Sequence, residues 1–209
     1  MSRVPAYPVN LTLAGAGVLV VGGGHVAHRK VSGLLASGAR VTVVAPDICD
    51  ELRTLAGVRL HEREYQRGEV ASYRVAVSAT GVRAVDEQVH RDAAASGIPV
   101  NVADVPELCT FTLPAVVRRG DLQIAVSTNG RSPAFASWLR SQLEQIIDAR
   151  YGEALSVVAE LRDEMHAAGN TSEVDGWHDA FDDGFLDLVA DGRHLEAKEL
   201  LRSKLGAAA

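Results

Sequence analysis

Cysteine is nearly missing from this sequence: Cys49 and Cys109 are the only two in 209 residues. Two cannot build a disulfide framework, and neither lies in a C-x-x-C pair. A reducing, cytoplasmic setting is therefore expected, and a structural zinc site is not. Long hydrophobic runs are missing too. The longest apolar stretch, residues 14–21, falls far short of the ~20 residues that span a bilayer. Residues 1–10 carry Pro5 and Pro8 and no basic-then-apolar leader pattern. Positive charge is in deficit, with 21 Lys+Arg against 27 Asp+Glu and a net charge of −6. A general nucleic-acid binder needs cations to release counterions, so that class is disfavoured. A local basic pocket for an acidic small molecule is not. There is no internal repeat and no low-complexity segment beyond the alanines at 207–209. A soluble protein follows, without membrane or nucleic-acid partners. At 47% hydrophobic and 23% charged, the chain has material for a packed core in one large domain or two small ones.

What is present comes in three textures. Up to about residue 103, Val-rich runs at 17–22, 39–45, 58–61, 74–80 and 99–103 alternate with Ala/Leu/charged stretches. Near-continuous β-branched runs indicate strands covered on both faces, hence a mostly parallel sheet. Residues 25–37, 47–55 and 83–96 read as helices, closed by Gly38, Gly57 and Gly97. The β-α-β rhythm predicts a doubly wound α/β domain. Next, runs at 111–118 and 122–128 flank Arg119-Gly120-Asp121, a hairpin signature. A helix over 132–149 follows, with Ser132 as N-cap and Pro133 at its first position. A lone hairpin is marginal in water, so pairing with another sheet or a second subunit is expected. Beyond Tyr151 only helices are predicted, at 151–168, 177–191 and 195–205, with a break at 169–172.

The first run leads into Gly22-Gly23-Gly24-His25-Val26-Ala27, a G-x-G-x-x-A pattern that opens the first helix. Gly22 permits a tight turn, Gly24 leaves bare backbone for a pyrophosphate, and Ala27 allows close helix–strand packing. The helix N-terminus adds N–H groups and a positive dipole end. A dinucleotide is the ligand this context favours, against a tight turn with no ligand. The second strand would normally end in an acid that holds the adenosine ribose. Here Val44-Ala45-Pro46-Asp47 places it two positions late, so Asp47 either reaches a ribose hydroxyl or caps the next helix. Arg40 is no clear reader of a 2′-phosphate, which favours NAD over NADP.

Four segments go further: Gly22-Gly-Gly-His-Val-Ala-His-Arg-Lys30, Asn101-Val-Ala-Asp104, Phe111-Thr-Leu-Pro114 and Ile124-Ala-Val-Ser-Thr-Asn-Gly-Arg-Ser-Pro133. In order and spacing, over roughly residues 7–147, they resemble the siroheme synthase N-terminal family, precorrin-2 dehydrogenase / sirohydrochlorin ferrochelatase. The resemblance implies an NAD-binding Rossmann domain over 1–110, a homodimerisation region of hairpin plus helix over 111–149, and a helical C-terminal domain over 150–209. It implies NAD-dependent oxidation of precorrin-2 to sirohydrochlorin, with Fe²⁺ insertion as a further activity of some members. The uroporphyrinogen methyltransferase module of some members is not expected in this chain.

Asp104 matches the family's catalytic aspartate. A carboxylate at the carboxyl edge of a parallel sheet is placed to accept the proton lost in dehydrogenation; the plainer alternative is a turn cap before Pro106. His25, Val26, Pro46 and Asp47 match NAD contacts of the family, with Gly22, Gly23 and Gly24 on the loop, and Thr80 is expected near the adenosine. Family members often carry Asp and Glu where this chain has His25 and His28. A serine phosphorylated in one branch is Thr128 here. A polycarboxylate substrate calls for cations, and Arg118, Arg119, Arg131 and Arg140 are candidates; an ordinary solvated face is the alternative for each. Arg29 and Lys30 serve packing or the charge of the site.

The seven histidines include no H-E-x-x-H or other ligand spacing, so no resident metal is expected. Trp177, Phe181 and Phe185 have helical spacing and read as core. Tyr7, Tyr65, Tyr73 and Tyr151 are followed four positions on by Leu11, Glu69, Val77 and Leu155, which excludes the Tyr-x-x-x-Lys short-chain dehydrogenases. The rival reading from another class is an NAD-sensing regulatory domain without catalysis. It accounts for the glycine loop and hairpin but not for Asn101-Val-Ala-Asp104 together with residues 127–133.

Overall fold

The computed structural model describes residues 6–169 and 176–206. They form two compact units, divided between Leu113 and Pro114.

The first unit is a five-stranded parallel sheet of β1 (Gly17–Val21), β2 (Arg40–Ala45), β3 (Val58–Glu62), β4 (Val75–Ser78) and β5 (Val100–Val102). Their order is β3-β2-β1-β4-β5. The chain reverses direction across the sheet between β1 and β4, the topological switch point where open α/β sheets bind ligands. Helices α1 (His25–Leu35), α2 (Asp50–Arg53) and α3 (Arg83–Ser96) connect the strands. Alternation along the strands sends Val18, Val20, Val41, Val43, Val75 and Val77 to one face, against Ala27 and Val31 of α1 and Leu52 of α2. Leu19, Val21, Val44, Ala76, Val100 and Val102 take the other, with Val89 and Ala93 of α3. Both faces are dry, which is why the strands read as unbroken apolar runs.

Several elements are shorter than their sequence pattern predicts, and in two the reason is visible. The helix expected over 47–55 is the single turn of α2. The Cys49 N–H donates to the Gly23 carbonyl at 2.8 Å, and Cys49 itself is extended. That long-range bond holds residues 47–49 as a loop. The strand expected to reach Thr80 ends at Ser78, and the Thr80 hydroxyl accepts the Val82 N–H at 3.0 Å instead.

The second unit opens with the antiparallel hairpin of β6 (Ala115–Arg119) and β7 (Leu122–Val126). Arg119 pairs with Leu122, leaving Gly120-Asp121 as a two-residue loop. Gly120, at φ +57°, takes the left-handed first position that type II′ hairpins give to glycine. Among the described residues the hairpin joins no other strand; it packs on α4 (Pro133–Ile146) and α5 (Ala149–Ala167). The Ser132 hydroxyl caps α4 by accepting the Phe135 N–H at 3.1 Å. The helix predicted over 177–191 is two, α6 (Trp177–Ala180) and α7 (Asp183–Ala190). Asp182 starts a new N-terminus between them, its carboxylate accepting the Phe185 N–H at 3.2 Å. With α8 (His194–Lys204), these helices bury Leu161, Phe185, Val189 and Leu201. Phe185 is core, Trp177 packs against that core, and Phe181 is exposed. Among the described residues no helix is long and apolar enough to cross a membrane.

Candidate functional site

The glycine loop leaves β1 at the switch point, and each glycine answers to a different neighbour. Gly22 donates its N–H to the Val44 carbonyl at 2.9 Å and sits at φ +120°. A Cβ there would lie 2.3 Å from the Ala79 carbonyl oxygen. Gly23 is as tightly bound: its Cβ would fall 2.0 Å from the Asp47 carbonyl oxygen. Gly24 is the reverse, with nothing within 4 Å of where its Cβ would be. It is the N-cap of α1, a helix with no side-chain cap and no acid in its first turn. An uncapped helix N-terminus beside open space suits an anion. A dinucleotide's pyrophosphate fits there, and Ala27 is fully buried behind the loop against the sheet.

A cavity of about 300 Å³ lies at the carboxyl edge of the sheet, lined by Val26, Ala79, Arg83, Asp86, Ala103 and Asp104 among others. Within the first unit it brings the first turn of α1, through Val26, together with Asp104. Asp104 lies two residues beyond β5, exposed, with its backbone at φ +61°. Non-glycine residues rarely hold that conformation, and such strain concentrates at functional sites. Cys109 supports the turn: its sulfur accepts the Val102 N–H at 3.2 Å, and its thiol reaches the carbonyls of Val102 at 3.2 Å and Val105 at 3.5 Å. Buried Asn101 donates its amide to the Phe111 carbonyl at 3.1 Å. These contacts give the Asn101–Asp104 and Phe111 motifs a common physical basis. Half-buried Lys30 is held below the ordinary lysine value by burial and by Arg29, while Asp104 and Cys109 act in the opposite direction.

Asp86 lines this cavity, a placement that the sequence pattern concealed. It is buried, and one carboxylate oxygen accepts the Ser78 hydroxyl at 2.6 Å and the Thr80 hydroxyl at 2.7 Å. On α3 it looks like any acid in a first helical turn; only the strand ends opposite make it the wall of a cavity. Thr80 does not itself line the cavity, and its hydroxyl is committed to Asp86. Pro46 and Asp47 are exposed on the loop after β2. Asp47 does not cap α2, whose N-cap is Cys49. His25 is exposed, with Nδ1 3.4 Å from a Glu51 carboxylate oxygen.

The candidate substrate arginines lie in the second unit and differ in their engagement. Arg119 donates to the Glu144 carbonyl at 2.9 Å, tying the hairpin to the end of α4. Arg140 pairs with Glu144 one helical turn on. Arg118 and Arg131 are exposed. Arg118 and Arg119 line a second cavity of about 440 Å³ with Gly152, Glu153 and Ser156, and Arg131 is not part of it. The Thr128 hydroxyl donates to the Ser132 carbonyl at 3.1 Å and accepts the Ser132 N–H at 3.1 Å.

Comparison with known proteins agrees with this geometry. Residues 9–115 match the family described as "Putative NAD(P)-binding", and residues 119–146 match "Sirohaem biosynthesis protein central". The siroheme synthase of Psychrobacter sp. (strain PRwf-1) is 35% identical over 204 residues, 95% of this chain and 42% of that one. The siroheme synthase of Pseudomonas aeruginosa (strain UCBPP-PA14) is 38% identical over 203 residues, 95% of this chain and 44% of that one. This chain therefore spans less than half the length of these relatives. The solved structure of SirC, precorrin-2 dehydrogenase, superimposes with a TM-score of 0.69 at 25% identity, covering 97% of this chain and 100% of that one. The glycine loop on a parallel sheet ordered β3-β2-β1-β4-β5, and the sirohaem-biosynthesis segment after it, have one common reading: the chain belongs to the siroheme synthase N-terminal family, and its first unit is that family's NAD(P)-binding domain.

Proposed function

We propose that this chain is a precorrin-2 dehydrogenase, oxidising precorrin-2 to sirohydrochlorin with NAD⁺ in siroheme biosynthesis. One observation carries the proposal: Asp104 and Val26, in the first turn of α1 just after the glycine loop, line the same cavity, which supports a cofactor and a base acting at one edge of the sheet. The relatives are siroheme synthases, and the structural neighbour is a precorrin-2 dehydrogenase.

The α1 N-terminus, opened by Gly24, would hold the pyrophosphate, and Pro46 and Asp47 the adenosine side. Bound NAD⁺ supplies the hydride acceptor. Oxidation removes one hydride and one proton from the macrocycle, and Asp104 accepts the proton. The left-handed backbone at Asp104, held by Cys109, fixes where that carboxylate stands. Asp47 after β2, with no basic side chain in its place, favours NAD over NADP. Arg118 and Arg131 offer exposed cations to substrate carboxylates. Exposed Phe135 and Trp138 on α4 suit a homodimer contact, and the cytoplasm suits the two free thiols. Insertion of Fe²⁺ into the product is the further step that the family resemblance suggests.

The test is anaerobic incubation with fresh precorrin-2 and NAD⁺, following NADH and the spectrum of the macrocycle, then adding Fe²⁺. The proposal expects NADH together with a sirohydrochlorin spectrum. Asp104→Asn should cut kcat/KM by about 10²–10⁴ while NAD⁺ affinity is retained. A folded protein that binds NAD⁺ and makes no NADH would instead support a sensor. A metal-dependent spectral change above the enzyme-free rate would add the chelatase.

A further inference from the structure

The fold brings His25 beside Cys49 and Glu51, three side chains of metal-ligating type that the proposed dehydrogenase does not use together. His25 opens α1, Cys49 is the N-cap of α2, and Glu51 lies in the first turn of α2. One ligand atom from each lies within 4.8 Å of the other two, with His25 Nδ1 and Glu51 Oε1 3.4 Å apart. Around a tetrahedral ion with bonds of 2.0–2.3 Å, ligand atoms stand about 3.5 Å from one another, so a small closure of the side chains completes the geometry. Imidazole, thiolate and carboxylate together form a donor set of the zinc class, too soft for Mg²⁺ or Ca²⁺.

The placement is prepared by backbone. The Cys49 N–H donates to the Gly23 carbonyl at 2.8 Å, which pins the α2 entry to the glycine loop and brings Cys49 beside His25. Cys49 is half-buried while His25 and Glu51 are exposed, so the cluster is open to solvent on one side. The Glu51 carboxyl is held below its ordinary value by its own backbone N–H and the Cys49 thiol, with His25 and His28 adding to the effect. Cys109, the other cysteine, is occupied with the backbone of residues 102–105.

We propose that His25, Cys49 and Glu51 bind one divalent ion of the zinc class, with water in the fourth position, bridging the glycine loop and the entry to α2.

Cobalt is the probe, because a thiolate bound to Co²⁺ gives a near-ultraviolet charge-transfer band. The full chain, stripped of metal and reduced, is titrated with Co²⁺ in a non-chelating buffer. The expected result is a band that saturates at one equivalent and is displaced by Zn²⁺. Cys49→Ser should abolish it, Cys109→Ser should leave it, and His25→Ala or Glu51→Gln should each weaken Co²⁺ binding at least about tenfold. Circular dichroism checks that each variant is folded. Absence of the band in the native chain, its survival in folded Cys49→Ser, or its loss only in Cys109→Ser would overturn the proposal.

Discussion

In the first unit, the carboxylates of Asp86 and Asp92 are buried and each accepts two or more hydrogen bonds from protein donors. In the second, charge stays outside: Lys198 bridges Glu160 at 2.8 Å and Glu164 at 3.0 Å, Arg202 joins Glu164, and Arg193 joins Glu196, all around an apolar core. The difference follows from architecture. A parallel sheet covered on both faces has one open edge for polar chemistry, so its loops and helix starts must be satisfied from within. A helical bundle satisfies its own backbone and needs only an apolar stripe inward. Buried polar groups need partners in defined positions, whereas exposed ion pairs contribute little each. The first unit is accordingly the exacting one, and the candidate dinucleotide site sits there.

The most damaging test of that contrast is Gly23→Ala. Its Cβ would meet the Asp47 carbonyl oxygen at 2.0 Å, so the two loops must part and the variant should lose stability by more than about 3 kcal/mol, together with NAD⁺ binding. Gly24→Ala meets open space and should melt like the native protein while binding NAD⁺ more weakly. Thermal melts and titration calorimetry read both, and equal melting of the two variants would break the comparison. In the second unit, the large effect should come from the core alone. Phe185→Ala leaves a cavity among Leu161, Val189 and Leu201 and should cost about 3–5 kcal/mol in chemical denaturation.

A third test is pH. Burial opposes the charge of Asp92, yet the Gly68 N–H, the Tyr65 hydroxyl and the Gln88 amide hold its carboxyl below the ordinary value. Tyr65 is correspondingly pushed up by burial and by that carboxylate. A carboxyl lowered on folding stabilises the protein above its unfolded value of about 3.9 and loses that contribution as pH falls through the folded value. Native stability should therefore drop more steeply below about pH 4 than that of Asp92→Asn, measured by urea midpoints across the acid range. The smallest effect is expected for Lys198→Ala, whose ion pairs are on the outside of the second unit; Tm should fall by about 2 °C or less. A larger drop would mean that the helical unit leans on charge as the first unit does.

Much of this was legible along the chain because it is local. Val-rich runs with glycine-closed helices between them specify a parallel sheet, Ser132-Pro133 marks a helix start, and Arg119-Gly120-Asp121 marks a hairpin tip. G-x-G-x-x-A after a strand points to a dinucleotide, and Asn101-Val-Ala-Asp104 to the family. The shorter α2 and the break at Asp182 were not legible, since a bond to Gly23 and a competing cap decide them.

The sequence by itself determined most of the strands and helices, where the glycine loop lies, and which aspartate to suspect, because periodicity and turn chemistry act over a few residues. Only the tertiary structure decided that Gly23 has no room for a side chain, that Asp86 lines the same cavity as Asp104, that Cys109 supports the Asp104 turn, and that His25 meets Cys49 and Glu51. Each of these depends on the ends of strands that are distant in the chain and adjacent in the sheet, and no local pattern encodes that adjacency.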